Sequence, residues 1–189
     1  WIRGGFKIYE RHFGKSKFLF CDHHLAHALS AYAYSGFKQA TVVVIDGRGA
    51  FESTSIWYAD EWKIHPVEII RWPNSLGLLY AKFTKYLGFD PLSDEWKVMG
   101  LAPYGKGGID MNDFIDDSQK PYRVHWEKLY GKGLTDVSEI EAVFGKARNR
   151  SGELEDKYKD IAFAIQNATE KAMLDTVRYA VRQTGCKKL

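Results

Sequence analysis

Two histidines four residues apart, His23 and His27 in Asp22-His23-His24-Leu25-Ala26-His27, are the residues best placed to do chemistry. They open a run, Ala26 to Tyr34, of good helix formers and aromatics with no Pro or Gly. On a helix, positions i and i+4 stack about 5–6 Å apart, so both imidazoles can reach one cation. Imidazole suits zinc, iron, copper or nickel. The H-x-x-x-H spacing is that of helical zinc sites, with His24 in place of the Glu that serves there as base. Other parts of the fold must therefore complete any reaction. Taken alone, such a pair belongs more often to a helix surface or a core than to a metal. The neighbouring elements decide.

After a break at Ser35-Gly36-Phe37, the β-branched run Ala40 to Ile45 reads as a strand buried on both faces. It delivers Asp46 onto the turn Asp46-Gly47-Arg48-Gly49, 19 residues after His27. Gly47 and Gly49 tolerate φ > 0 and let backbone N–H groups approach an anion, so Gly47, Arg48 and Gly49 are candidate phosphate contacts. Asp46, projecting from the strand end, is a candidate third ligand beside His23 and His27. A plain hairpin with an Asp-Gly turn is the competing reading.

The elements that must position these residues follow from pattern. Lys17 to Cys21 reads as a short strand leading into the His helix. Phe51 to Tyr58 and Trp62 to Arg71 read as further strands, giving an antiparallel meander with Ala40–Ile45. Asn74 or Ser75 is an N-cap for a helix from Leu76 to Leu87, whose Leu76, Leu79, Tyr80, Phe83 and Leu87 form one apolar stripe. Glu95 to Gly105, with Gly100, Pro103, Gly105 and then Gly107 and Gly108, reads as a loop of special backbone conformations. Lys97 at its start is a candidate catalytic cation for a phosphate or carboxylate, against the reading of a solvated lysine. Residues 106–155 are polar and irregular, with a short helix near 136–144. Asp156 to Thr184 carries sustained 3.6-residue periodicity and is the strongest helix signal in the chain.

Composition narrows the class. With 189 residues and 45% hydrophobic content, the chain can bury a core of one domain or one and part of another. The net charge of +3 comes from interspersed Lys, Arg and acids, so no basic stripe points to nucleic acid. Apolar runs fall far short of a membrane span and no signal-peptide pattern is present. Cys21 and Cys186 lie far apart, Cys21 in an expected buried strand, which favours free thiols, a reducing compartment and a cytoplasmic protein. The chain starts at Trp1 and stops just after a Thr184-Gly185 helix stop, so the expectation is a piece of a longer protein.

Taken together, Asp22 to Ala28, Ser30-Ala31-Tyr32, Ser35-Gly36-Phe37, Asp46 to Gly49, Ser53-Thr54-Ser55 and Lys97 to Gly105 resemble the O-carbamoyltransferases, which act on antibiotics and nodulation factors. The likeness runs in order from about residue 17 to the end. A more distant similarity extends to the metal domain of tRNA threonylcarbamoyl transferases and hydrogenase-maturation carbamoyltransferases. The resemblance implies an α/β fold of the actin-like ATPase and sugar-kinase (ribonuclease H-like) type, a mixed sheet with flanking helices. Residues 1–39 would be the entry segment with the His helix and 40–189 most of the start of the second lobe. The C-terminal adenylating domain would lie outside the chain.

The resemblance further implies two steps. Carbamoyl phosphate and ATP give a carbamoyl-adenylate, and the metal-containing domain then passes the carbamoyl group to a hydroxyl of a small-molecule acceptor. It implies a divalent transition metal, iron before zinc, held by His23, His27 and Asp46, with a further Asp beyond residue 189. Ala50 departs from the family, which usually has an acidic residue after the D-G-x-G turn; Glu52 is close by. Residues 1–189 alone are expected to show no turnover. Two other classes stay open: a sugar-kinase-like ATPase without a transition metal, and a non-catalytic module of the same fold.

Overall fold

The meander forms as expected. In the computed structural model, which describes residues 9–14, 20–61, 63–116, 118–129 and 133–189, three antiparallel strands lie in the order β1 (Gln39–Ile45), β2 (Glu52–Asp60), β3 (Lys63–Arg71). Val42 pairs with Trp57 and Ile45 with Thr54; across the other ladder Ser55 pairs with Ile69. Trp62, the expected first residue of the third strand, lies outside the described residues.

Side chains alternate across a strand, and the two faces of this sheet are covered differently. On one face Ala40, Val42, Trp57 and Ala59 pack with Ala28 of the helix α1 (His23–Ser35). On the other, the Thr41 hydroxyl meets Thr184 Oγ1 at 2.6 Å, at the end of the long C-terminal helix. The Thr41 N–H donates to Lys188 O at 2.8 Å. The sheet is thus sandwiched between α1 and the long C-terminal helix.

β1 differs from expectation. Ala40, Thr41 and Val42 are buried, but Val43, Val44 and Ile45 are only half-buried. The strand occupies an edge of the sheet, and its half-buried end borders an open groove with His27, Ser30 and Ala31. The fully covered strand is β2, where Glu52 through Trp57 are all buried.

The larger core lies beyond the sheet. Helix α2 (Leu76–Tyr86) buries Leu76, Leu79, Phe83 and Tyr86 against α3 (Glu95–Leu101) and the long helix. Tyr80 sits at the margin of this stripe and donates to Gln166 Oε1 at 2.7 Å. The expected loop at 95–105 is instead helical through Leu101, followed by a 3-10 turn at Ala102–Tyr104. Gly100 lies on the exposed side of this helix, whose Val98 and Leu101, with Ala102 beyond, hold it to the core.

Residues 106–155 are less peripheral than their polarity suggests. They hold a two-strand ribbon, β4 (Ile115–Asp116) and β5 (Arg123–Val124), and the helices α4 (Trp126–Leu129) and α5 (Ser138–Phe144). Their sparse apolar residues, among them Phe114, Tyr122, Leu129 and Ile140, point into the main core. The last helix, α6 (Asp156–Thr184), runs 29 residues, about 44 Å at the usual rise. It buries Ile161, Ala164, Ile165, Ala172 and Ala180 along one stripe and ends at Gly185 with φ 71°.

The expected strand at 17–21 lies mostly outside the described residues. Phe20 and Cys21, which are described, are exposed and irregular rather than part of a buried strand. Both cysteines are free thiols. No described helix is long and apolar enough to cross a membrane.

Candidate metal centre

Helix α1 begins where a capping residue allows it. The Asp22 side chain accepts from the Leu25 N–H at 3.1 Å, so the first helical turn carries His23, His24 and, one turn later, His27. Opposite this turn, β1 ends at Ile45 and Asp46 is the first residue off the strand. The hairpin closes through Asp46 N–H to Ser53 O at 2.8 Å and Gly49 N–H to Glu52 O at 2.7 Å. Gly47 N–H donates to Asp46 Oδ1 at 2.6 Å, which leaves Oδ2 to face the histidines.

A second clamp holds the turn from behind. Ser75 caps α2 by accepting from Leu78 N–H at 3.1 Å, and its hydroxyl donates to Gly47 O at 2.6 Å. Gly77, in the first turn of α2, lies directly on Gly47. A Cβ there would come within 2.6 Å of Gly47 Cα and 2.8 Å of its nitrogen. Of the two expected caps, Ser75 does the capping; Asn74 instead accepts from Val124 N–H at 2.8 Å.

These elements bring the three expected ligands together. His23 Nε2 lies 2.9 Å from Asp46 Oδ2, and His27 Nε2 lies 3.2 Å from His23 Nε2. The three ligand atoms all fall within 4.8 Å of one another. Two facing imidazole nitrogens at this separation cannot both carry hydrogens. For a cation bonded to nitrogen at about 2.0–2.1 Å, neighbouring tetrahedral ligands sit about 3.3 Å apart and octahedral ones about 2.9 Å. The two short separations match such edges and the third stays within 4.8 Å, so the three residues can close on a metal. Two imidazoles and a carboxylate with open positions are a donor set for iron or zinc. Burial works to raise the Asp46 pKa. The His23 hydrogen bond and the Gly47 N–H outweigh it and hold the carboxyl below its ordinary value.

His24 has a different place. It is fully buried, with Nδ1 2.7 Å from Ser55 Oγ, and the same hydroxyl accepts from Trp57 Nε1–H at 2.7 Å. Its Nε2 has no hydrogen-bond partner among the described residues. Burial lowers its pKa against the opposing pull of Glu52, Asp46 and Asp22, with His23 adding to the lowering. Gly49 packs on both neighbouring rings: a Cβ there would lie 3.0 Å from His24 Nε2 and 3.1 Å from His23 Cδ2.

The remaining candidates sit around this centre in different ways. The N–H groups of Gly47 and Gly49 are used inside the turn, on Asp46 and Glu52. Arg48 is exposed, its guanidinium 4.9 Å over the Trp72 ring. Glu52 is largely buried and accepts from the Phe51 N–H at 3.1 Å. Helix α3 turns Trp96 and Met99 into a groove shared with Asp46, Gly47, Leu76 and Tyr80. Lys97 on the same helix does not line that groove; its ammonium lies 2.9 Å from Asp94 Oδ2 and 5.3 Å from the Trp96 ring centroid.

Ser55, Ser75 and Gly77 were not singled out for the site from the sequence. Gly77 carried a usable signal, since a glycine in the first turn of an apolar helix costs about 1 kcal/mol against alanine and implies a close neighbour.

The family model for the carbamoyltransferase N-terminus matches residues 8–189. The chain belongs to that family. Among its relatives, an uncharacterised protein of Synechocystis is 36% identical over 178 residues, covering 90% of this chain and 29% of the relative. The nodulation protein NolNO of Sinorhizobium fredii is 33% identical over 180 residues, or 92% of this chain and 25% of the relative. The nodulation protein NolO of Bradyrhizobium diazoefficiens is 32% identical over 176 residues, or 89% and 30%. The chain thus spans less than a third of the length of these relatives.

Proposed function

We propose that this chain is the metal-holding part of an O-carbamoyltransferase. The whole protein would take a carbamoyl group from carbamoyl phosphate, through an ATP-derived carbamoyl-adenylate, to a hydroxyl of a small-molecule acceptor. The observation that carries this reading is the convergence of His23, His27 and Asp46 in a chain matched along nearly its whole length by the family model. The β-β-β-α order from Gln39 to Tyr86 supports an actin-like lobe, with residues 1–39 as its entry segment and the adenylating domain elsewhere in the protein.

His23, His27 and Asp46 would hold a divalent transition ion, which would supply Lewis-acid charge toward the phosphate of the adenylate. The protein's part is placement. His23 and His27 present imidazole lone pairs from one helix face, and Asp46 contributes the negative charge. Ser75 and Gly77 fix the turn that carries Asp46. Gly47, Arg48 and Gly49 would border the anion. With both glycine N–H groups already engaged, Arg48 is the member of that turn free to meet a phosphate through its guanidinium. Lys97 would reach the adenylate only by exchanging its Asp94 partner. Trp96, Met99 and Tyr80 would wall the groove and exclude water, which strengthens every charge inside it.

The test is made on the full-length protein. Purified enzyme given carbamoyl phosphate, ATP and a hydroxylated acceptor should release inorganic phosphate, pyrophosphate and AMP in step with acceptor carbamoylation. His23→Ala should abolish the acceptor product. Unchanged transfer by that variant would remove the metal centre from the mechanism.

A further inference from the structure

Ser55 decides the tautomer of His24. The indole Nε1–H of Trp57 can only donate, so the Ser55 hydroxyl must accept from it at 2.7 Å. Among the described residues the Ser55 hydroxyl has no other acceptor, so its single hydrogen goes to the other neighbour, His24 Nδ1 at 2.7 Å. Nδ1 accepts, so the neutral ring carries its hydrogen on Nε2. That atom is an N–H donor with no partner among the described residues, in a fully buried side chain. Leaving such a donor unmade costs about 1–3 kcal/mol, and buried polar atoms without partners call for an explanation.

Its position supplies one. His24 sits in the first turn of the 13-residue α1, beside His23, with ring centroids 5.8 Å apart. The two rings converge on Gly49, the last residue of the turn that begins with Asp46. Gly49 lies against Nε2, where a Cβ would come within 3.0 Å, and its own N–H is spent on Glu52 O.

We propose that His24 Nε2–H is a hydrogen-bond donor to an oxygen of the transferring group at the metal centre. Ser55 and Trp57 act as positioning residues that fix its tautomer and direction. This rests on the carbamoyl-transfer reading and assigns that site a fourth residue, one that binds substrate oxygen rather than metal. The donor meets that oxygen when the Gly47–Gly49 turn moves off it, against the Ser75 hydrogen bond and the Gly77 contact that hold the turn. A donor already oriented where charge develops stabilises the transition state without reorganising.

Glutamine and asparagine separate this role from a structural one. The glutamine amide reaches the place of Nε2 and keeps a donor there; asparagine reaches only the place of Nδ1 and keeps the Ser55 bond. In the full-length protein, His24→Asn should slow transfer about a hundredfold, the usual scale for one lost donor, and His24→Gln about tenfold less. Both should keep wild-type metal content. Nitrogen-15 spectra of the metal-free protein should show the Nε2–H tautomer at His24, lost in Ser55→Ala. An Nδ1–H tautomer, or His24→Asn outperforming His24→Gln, overturns the proposal. Wild-type protein without metal defeats the metal reading, while the order of the two variants still decides His24. Absence of transfer in the wild type defeats both.

Discussion

Gly77 and Gly47 pack backbone against backbone: a Cβ on Gly77 would lie 2.6 Å from Gly47 Cα. The contact joins the N-terminus of α2 to the turn that presents Asp46. Neither side can yield by rotating a side chain, because both are main chain.

Gly77→Ala should therefore displace the turn. Overpacking of this kind costs about 1–3 kcal/mol, and bound metal should fall with it. Gly100→Ala is the control, since nothing lies within 4 Å of a Cβ there and the position is exposed and helical. It should stabilise by up to about 1 kcal/mol. Denaturant midpoints and metal content of the two variants read out the contrast.

Lys97 and Asp94 form an i,i+3 pair, with the lysine side chain 36% exposed. Such a pair is worth less than about 1 kcal/mol. Lys97→Ala and Asp94→Asn should lower stability equally and slightly. If Lys97 also exchanges partners to serve the adenylate, only Lys97→Ala will slow transfer. Equal transfer rates in the two variants would confine Lys97 to pairing.

Lys82 is buried, with its ammonium 3.9 Å from Glu139. Burial lowers its pKa against the attraction of Glu139 and Asp136. The folded state then holds that proton less tightly than the unfolded chain. Stability should rise with pH between the lowered folded value and the ordinary lysine value. Lys82→Met should flatten that rise and be neutral or stabilising by about 1–2 kcal/mol. Urea unfolding followed across alkaline pH checks both.

Much of this was legible in the residues. The meander, the Ser75 cap, α2 and α6 follow from alternation, capping chemistry and 3.6-residue spacing, which are local signals. The likeness in the motif blocks is matched by the family model along residues 8–189. What escaped was set by long-range packing. That α3 continues through Gly100 depends on α6 beneath it, and the edge position of β1 on the sheet order. The contribution of residues 106–155 to the core rests on a few apolar side chains scattered among polar ones. The His24–Ser55–Trp57 chain joins residues 31 positions apart, beyond any local pattern. Spacing alone could propose His23 and His27, but the 2.9 Å approach of Asp46 needed the hairpin.

The most direct test is the metal content of the full-length protein, purified without chelator and measured by elemental analysis beside His23→Ala, His27→Ala and Asp46→Ala. Ligand groups must shed protons to bind a cation, so wild-type occupancy should also fall as the buffer is acidified. Two histidines and an aspartate around one site predict about one transition metal per chain, iron or zinc, in the wild type. Each single variant should lose most of it while keeping its fold by circular dichroism. Full metal retained by both histidine variants would contradict the account.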